Sequence, residues 1–411
     1  MRPLEDAQAA VLDAVGSLPV KSVSLREARG LVLAEDVTAQ HDIPPFANSA
    51  MDGYAVIAAD VATAPATLRV LEDVPAGSTP TQTVVPGTAI KIMTGAPLPA
   101  GADAVVKVED TDGGSDQVLI DAVAPAGTAV REAGGDIASG AMVMGAGTRL
   151  TAPHLGVLAS IGVAFPKVRR RPTVALMSTG DEVVPPETTT LGPGKIRDTN
   201  RPALQAALEE FGAVVADYGI VPDDAEVLNR TLGHAARNAD VVVTSGGVSM
   251  GEYDLIKQEL AALGTVDFWK VAMQPAKPFA FGDLGGTPLF GLPGNPVSVF
   301  VAFEQFLRPA LLHMMGADVL FRPRFSGIAS EELKTDPEKT VFVRAAVQRQ
   351  GADLVVAKSG GQQSNVLTAL AFADAFAVVP RGVGTIAPGE PVELEMFRSP
   401  ETRTRQEALG E

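Results

Sequence analysis

The chain reads as a multidomain α/β plus β protein, with an open α/β sheet in the middle and short-stranded β regions before and after it. Three observations predict this. From Pro172 to about residue 320, apolar runs alternate with helical patterns, which is how a mostly parallel sheet covered by helices on both faces reads. From Tyr54 to about Glu132 there are only short β runs between Gly/Pro turns, as in a small all-β module. Beyond Gly316 the pattern turns to β again. The 411 residues exceed what one core holds and suit about three domains.

Composition narrows the function. Apolar content of 46% with 20% charged residues describes a globular chain. The net charge of −16 lacks the basic face expected of a nucleic-acid binder. An anionic substrate would then need local cations, which outweigh distant surface charge because screening acts over about 8 Å. With no cysteine, disulfides, thiolate zinc sites and a cysteine nucleophile are excluded. His41, His154, His234 and His313 are scattered, so a bound metal would be hard and oxygen-ligated, with Mg²⁺ the expectation. The first residues carry acids and an amphipathic pattern (Leu4, Val11, Leu12, Val15, Leu18), a helix rather than a signal peptide. No run reaches the ~18 apolar residues of a membrane span, and a cytoplasmic protein is expected.

In chain order, Ser24-Leu25-Arg26-Glu27 is a capping-box pattern opening a short helix that ends at Gly30, followed by a strand over 31–37. HDIPPFANSAMDGYAV then has prolines that favour extended backbone and an Asp52-Gly53 turn. The β runs 67–74, 88–93, 104–109, 118–120 and 128–131 follow, with no helical stretch between them. Thr94 sits in the loop Met93 to Pro97 and Asp136 closes the loop Glu132 to Asp136. Thr151-Ala152-Pro153 starts a helix, and the basic stretch Lys167 to Arg171 marks a boundary.

The α/β region predicts strands at 173–178, 214–221, 239–244 and 268–273. Helices are predicted at 202–211 with Asn200 as cap, 223–238, 252–263 and from Pro296 onward. The organising stretch is DVVVTSGGVSMGEYD, residues 240–254. A β-branched run ends in Ser245-Gly246-Gly247, where a backbone free of Cβ atoms approaches a ligand closely and the following helix turns its positive end toward an anion. Asp254 on that helix could reach a phosphate-bound metal. Ligands of such sheets lie beyond the carboxyl ends of the strands, where Asp181-Glu182 and Asp223-Asp224 also fall. Each acidic pair could equally cap the next helix. Lys270 and Lys277 bring cations past a strand, and Pro293-Gly294-Asn295-Pro296 sets Asn295 as a helix cap. In the last region, with β runs at 325–329, 340–347, 354–357, 375–379 and 392–397, Arg344 and the loop Ser359 to Ser364 are the conspicuous polar features. Residues after about 399 read as a solvated tail.

Taken in order, PPFANSAMDGYAV, IMTGAPLP, GGDI, ALMSTGDE, KIRDTNRPAL, VVVTSGGVSMGEYD, FWKVAMQPAKP and LFGLPGNPVS resemble the molybdopterin molybdenumtransferase family (MoeA; the E domain of gephyrin), essentially from end to end. The resemblance implies a central α/β sheet of the molybdopterin-binding type at 172–320. It implies a linking domain at 1–46 and 132–171, an inserted all-β module at 47–131 and a β-barrel-like domain at 321–411. It also implies an enzyme of molybdenum cofactor biosynthesis, a homodimer that uses Mg²⁺ to insert molybdate into adenylylated molybdopterin with release of AMP. Catalytic roles fall on Asp52, Asp136, Glu182, Asp223 and Asp254, with Glu182, Asp223 and Asp254 at the metal. Substrate contacts fall on Thr94, Ser245, Gly246, Gly247, Lys270, Lys277, Pro293, Pro296, Arg344 and Ser364. Asp52, Thr94 and Asp136 are expected to be lent by the second subunit, and a molybdopterin adenylyltransferase is the implied partner. The chain departs from some members at Gln274, where they carry lysine, and at Ala276, where they carry glycine. A receptor-binding scaffold, which would not need the carboxylates, and a nucleotide binder without chemistry, whose AMP affinity would be indifferent to molybdate, are the alternatives.

Overall fold

The computed structural model describes residues 1–246 and 264–398. The chain forms two compact units, one of Met1–Lys21, Gly30–Ala34 and Lys167–Glu411, the other of Ser22–Arg29 and Glu35–Pro166. The helix expected at 252–263 and the tail after 399 lie outside the described residues.

The second unit is built on five strands, β1 (Gly53–Val56), β2 (Ala66–Val74), β3 (Thr88–Ile92), β4 (Ala104–Lys107) and β5 (Gln117–Ile120). Their order in the sheet is β4–β1–β3–β2–β5. Both faces are covered: Tyr54, Val56 and Ala89 enter one core, Ala55, Ile90 and Ile92 the other. That explains why GYAV and TAIKI are apolar in runs rather than in alternation. Short 3₁₀ turns at Ala58–Val61 and Val108–Asp110 interrupt the strands, where the sequence pattern predicted no helix. Single turns of this kind carry too few residues to show a period.

In the first unit, the central sheet contains β6 (Thr173–Thr179), β7 (Val214–Val221), β8 (Val241–Ser245), β9 (Thr265–Lys270), β10 (Pro278–Asp283) and β11 (Pro288–Leu292). The order is β7–β6–β8–β11–β10–β9. The first three pairings are parallel, but β11–β10 and β10–β9 are antiparallel, so the sheet is mixed where a mostly parallel one was expected. The hairpin hides in FAFGDLGGTPLFGL, whose Gly285 and Gly286 make its turn with positive φ and break the apolar run in two. Trp269 of β9 packs in tilted contact on Phe279 and Phe281, and Phe281 meets Phe290 edge to face. The predicted strand at 268–273 is split, since β9 stops at Lys270 and Met273–Gln274 joins another sheet.

Three helices matter for the edge of this sheet: α2 (Asn200–Phe211), α3 (Ala225–Asn238) and α4 (Pro296–Ala302), while α1 (Leu4–Ala14) lies near the N-terminus. Leu228, Leu232 and Ala235, one stripe of α3, pack with Ala175 and Met177 of β6, the spacing of an amphipathic helix on a strand face.

The last region holds β12 (Arg324–Ala329), β13 (Thr340–Gln350), β14 (Asp353–Lys358), β15 (Ala375–Val379) and β16 (Pro391–Met396). They run β13–β14–β12–β16–β15, and β15 pairs back onto β13, closing a five-stranded barrel. Alternate residues Val341, Val343, Ala345 and Val347 fill it with Ala377, Val379, Val392 and Leu394.

Outside the barrel, Glu395 of β16 is buried and accepts a hydrogen bond from Gln305 Nε2 at 2.6 Å, while Gln8 of α1 reaches Gln305 at 3.2 Å. Burial raises the Glu395 carboxyl above its ordinary 4.5. The folded state therefore keeps its proton at pH values where the unfolded chain has lost it, and stability falls as pH rises from about 4.5 through the raised value. Glu395→Gln keeps the Gln305 contact without the ionisation. Thermal melts from pH 4.5 to 7.5 are expected to show the variant gaining on the wild type as pH rises; a constant difference would refute this origin.

Candidate active site

Register aligns the ends of the central strands. Thr179 pairs with Val221, Ser178 with Ser245, Ser245 with Leu292, and Lys270 with Pro278. The segments starting at Gly180, Pro222, Gly246 and Pro293, with Lys270 and Lys277, therefore share one carboxyl edge. At about 4.8 Å per strand, the β6 end and the β9 end lie about 19 Å apart. Acids occupy one end of the edge and lysines the other.

At the acidic end, Asp181 and Asp223 clasp each other: the Asp181 N–H donates to Asp223 Oδ2 at 3.3 Å and the Asp223 N–H to Asp181 Oδ1 at 3.2 Å. Asp224, not Asp223, caps α3, accepting from the Val227 N–H at 2.9 Å. The open choice between cap and site thus divides between neighbours. Glu182 folds its carboxylate back over Gly180, where a Cβ would lie 2.5 Å from Oε2. Lys195 Nζ donates to the Asp181 carbonyl at 2.5 Å. Lys195 comes from the proline-containing excursion between β6 and α2.

In the middle lies the glycine turn. Gly246 has φ +97°, and a Cβ there would meet the Thr179 carbonyl oxygen at 2.6 Å. Its N–H is taken by the Leu292 carbonyl at 3.2 Å, so the bare backbone is required for packing against β6 rather than for presenting this N–H to an anion. Gly247 and Asp254 lie outside the described residues. Beneath the turn, buried Asp198 accepts from Ser178 Oγ at 3.0 Å and from Arg201 Nε at 2.9 Å, and Arg201 also pairs with Asp217. Asn200 does not cap α2, which begins with it after Thr199. Its amide instead donates to Ser245 Oγ at 2.9 Å and to the Gly294 carbonyl at 2.7 Å.

At the basic end, Lys270 closes β9 and Lys277 precedes β10. Their loop is pinned by the Val271 N–H on the Lys277 carbonyl at 2.9 Å and by Met273–Gln274 pairing onto β13. Ala276 in this loop is buried with φ +69°, a left-handed conformation that costs a non-glycine residue roughly 1 kcal/mol and that suits the glycine some family members carry.

Arg344 is 1% exposed. Its guanidinium donates to the carbonyls of Gly361 at 3.0 Å and Gln363 at 3.1 Å, and Nε has no partner among the described residues. Burial pushes it down to about 10. The next carbonyl, of Ser364, accepts from the Val297 N–H at 3.1 Å, at the start of α4. Arg344, Ser364, Pro296, Pro293 and Ser245 are thus links of one chain, completed by Asn200. Asn295 occupies the cap position of α4 without a capping bond from its side chain.

In the other unit, the segment 43–52 gathers the remaining predicted residues. Thr94 donates to Asp52 Oδ1 through its N–H at 2.7 Å and its hydroxyl at 2.8 Å; these bonds hold the Asp52 carboxyl below its ordinary range. Gly95 donates its N–H to the Ser49 carbonyl at 2.8 Å, and the N–H of Asp136 reaches the Ile43 carbonyl at 3.0 Å. Asp52, Thr94 and Asp136 are all exposed.

Family models match nearly the whole chain in three blocks. The MoeA N-terminal region (domains I and II) covers residues 2–162, a "probable molybdopterin binding domain" 175–313, and the MoeA C-terminal region (domain IV) 326–397. Molybdopterin molybdenumtransferase 2 of Mycobacterium tuberculosis is 39% identical over 404 residues, spanning 96% of this chain and 99% of that protein. The chain belongs to the molybdopterin molybdenumtransferase family. The Haemophilus influenzae molybdopterin molybdenumtransferase is 38% identical over 91% of this chain and 93% of its own length. A crystal structure of the molybdopterin biosynthesis MoeA protein from Pyrococcus horikoshii superposes with a TM-score of 0.82 at 30% identity, covering 97% of this chain and all of that one. The barrel and the central sheet are therefore those of a molybdenumtransferase, within molybdenum cofactor biosynthesis.

Among the described residues of this molybdenumtransferase, no three His, Asp or Glu side chains form a preassembled metal site. The donors present still suit Mg²⁺ in kind, because that ion takes one or two carboxylates and completes its shell with phosphate oxygens and water. Asp223 and Glu182 at the acidic end supply such carboxylates.

Two glycine substitutions separate packing from permissiveness. Gly246→Ala combines positive φ with a 2.6 Å contact and is expected to cost about 2 kcal/mol or more. Gly294→Ala meets nothing within 4 Å and is expected to change stability by under about 1 kcal/mol. Urea denaturation midpoints check both, and equal shifts would contradict the geometry.

Proposed function

We propose that this chain inserts molybdenum from molybdate into adenylylated molybdopterin, in a Mg²⁺-dependent step that releases AMP. The observation that carries the reading is the two-ended carboxyl edge, with clasped carboxylates near β6 and β7, lysines near β9 and β10, and the Ser245 turn between them. Adenylylated molybdopterin carries a pterin dithiolene at one end and adenosine at the other, joined by a phosphoanhydride, so an elongated anion of this kind suits an edge with separate sites along it. The edge residues named carry the binding in this reading, and the relatives' name, molybdopterin molybdenumtransferase, supports molybdenum insertion.

In this reading Asp223 and Glu182 would hold Mg²⁺, and the sequence assigns Asp254, outside the described residues, the same role. Mg²⁺ when bound neutralises charge that develops on the phosphoanhydride as it is cleaved. Ser245 binds phosphate beside the glycine turn. Lys270 and Lys277 attract molybdate and hold it by charge. Arg344 acts through the loop 361–364, setting Ser364 and the start of α4. No protein nucleophile is needed; positioning and fixed charge carry the step.

The same reading assigns Asp52, Thr94 and Asp136 to the edge of a second copy, in a cytoplasmic homodimer supplied by a molybdopterin adenylyltransferase. What supports it is that all three are exposed polar residues held on one segment, with Asp52 kept ionised by Thr94. It also takes the chain as four modules, 1–46 with 132–171, 47–131, 172–320 and 321–411.

The two ends of the edge answer to different ligands. In a reconstituted assay of active cofactor from adenylylated molybdopterin, Asp223→Asn is expected to raise the Mg²⁺ concentration for half-maximal rate about tenfold and to leave that for molybdate within about twofold. Lys277→Gln should do the reverse. These sizes follow from losing one charge-assisted contact, about 1.5 kcal/mol. A wild-type protein without turnover, or variants that shift both ligands alike, would overturn the assignment.

A further inference from the structure

Asn200 is the residue at this edge whose chemistry the reading above leaves unused. It stands at the first position of α2, and its one amide nitrogen bonds to two other segments, Ser245 Oγ at 2.9 Å and the Gly294 carbonyl at 2.7 Å. The Gly294 carbonyl can only accept, so it fixes which end of the amide faces it, and that end must be the nitrogen. Because the same nitrogen also faces Ser245, the serine hydroxyl acts as acceptor in that bond. Its single proton remains to be donated elsewhere. Ser245 is 3% exposed, and its hydroxyl makes no further hydrogen bond among the described residues. An asparagine oxygen in the same place would have drawn that proton away.

The position of Asn200 is itself fixed from below. The Arg201 N–H donates to buried Asp198 at 3.1 Å while the Arg201 side chain bridges Asp198 and Asp217. The start of α2 cannot slide without breaking that ion-paired base. Asn200 therefore couples a rigid helix end to both lips of the edge, the turn after β8 and the loop after β11.

We propose that Asn200 is a positioning residue for the nucleotide phosphate: it holds Ser245 with its hydroxyl proton directed to a phosphate oxygen and keeps the Pro293 loop closed beside it. This rests on the functional reading above for the identity of the nucleotide. Removing the amide frees the serine rotor and the loop together. Replacing it by a carboxylate inverts the arrangement, because aspartate accepts the serine proton and puts a negative charge beside the phosphate.

The test is AMP binding in the presence of Mg²⁺ by calorimetry, on the full-length wild type and on Asn200→Ala, Asn200→Asp, Ser245→Ala and the double Asn200→Ala/Ser245→Ala, with melting temperatures measured alongside. Loss of one hydrogen bond to a charged group is worth about tenfold or more in affinity. Asn200→Ala and Ser245→Ala should each weaken AMP about tenfold, and the double variant by clearly less than the product of the two. Asn200→Asp, though isosteric, should bind more weakly than Asn200→Ala at pH 7.5, and the ratio of the two should approach one as pH falls toward 5. A purely structural role predicts that Asn200→Asp resembles the wild type or loses affinity only in step with its melting temperature.

Additive losses in the double variant, a ratio that does not change with pH, or no AMP binding by the wild type would each overturn the proposal. Turnover of adenylylated molybdopterin by the wild type is scored separately. If turnover is absent while the AMP results hold, the functional reading falls and the role of Asn200 at a nucleotide phosphate stands.

Discussion

Five of the six central strands point the same way, and the pairing of Ser178 with Ser245 and of Ser245 with Leu292 is the constraint on which the candidate site depends. In parallel pairing a shift of one residue would turn every buried side chain to the other face. Met177 and Val242 are buried in one core with the α3 stripe, so the register is held by packing far from the edge. The edge inherits that precision. Antiparallel β10 does not spoil it, because turning back twice returns β9 to the common direction and delivers Lys270 to the same side.

What the sheet aligns, buried polar groups then tie together. Asp198 and Arg201 fix the start of α2, Asn200 spans two loops, and Arg344 holds the carbonyls of the loop that meets α4. Such groups are costly to bury, and leaving a charge unpaired costs more than the pair contributes. Their presence below an exposed edge is consistent with a site whose loops must hold one arrangement. Ala276 has the same character: a residue held with positive φ persists only where its surroundings over-determine it, and here the two bonded ends of the loop do so.

Much of this was legible in the sequence. The apolar runs before Ser245 and before Thr179, the helical stripe of α3 and the apolar run of β13 are open in the sequence. The hairpin at 278–292 was not legible, because a Gly-Gly turn inside aromatic residues has neither a strand nor a helix period. The role of Asn200 was obscured for a different reason. An asparagine before a proline and an apolar helix looks like a cap, and only the third dimension brings Gly294 within reach. Asp223 and Asp224 present the same two chemistries in sequence, and the direction of α3 separates them. The assignments of Asp254 and Gly247 rest on sequence alone, as does the completion of the site by Asp52, Thr94 and Asp136.

The claim at the centre is that the edge has two functional ends serving one substrate. It is met most directly by crystals grown with AMP and Mg²⁺ and soaked in molybdate, with anomalous scattering collected at the molybdenum edge. The account predicts a molybdenum peak beside Lys270 and Lys277, and AMP with its phosphate at Ser245 toward Asp223. Molybdenum among the carboxylates, or AMP bound away from the carboxyl edge, would contradict it.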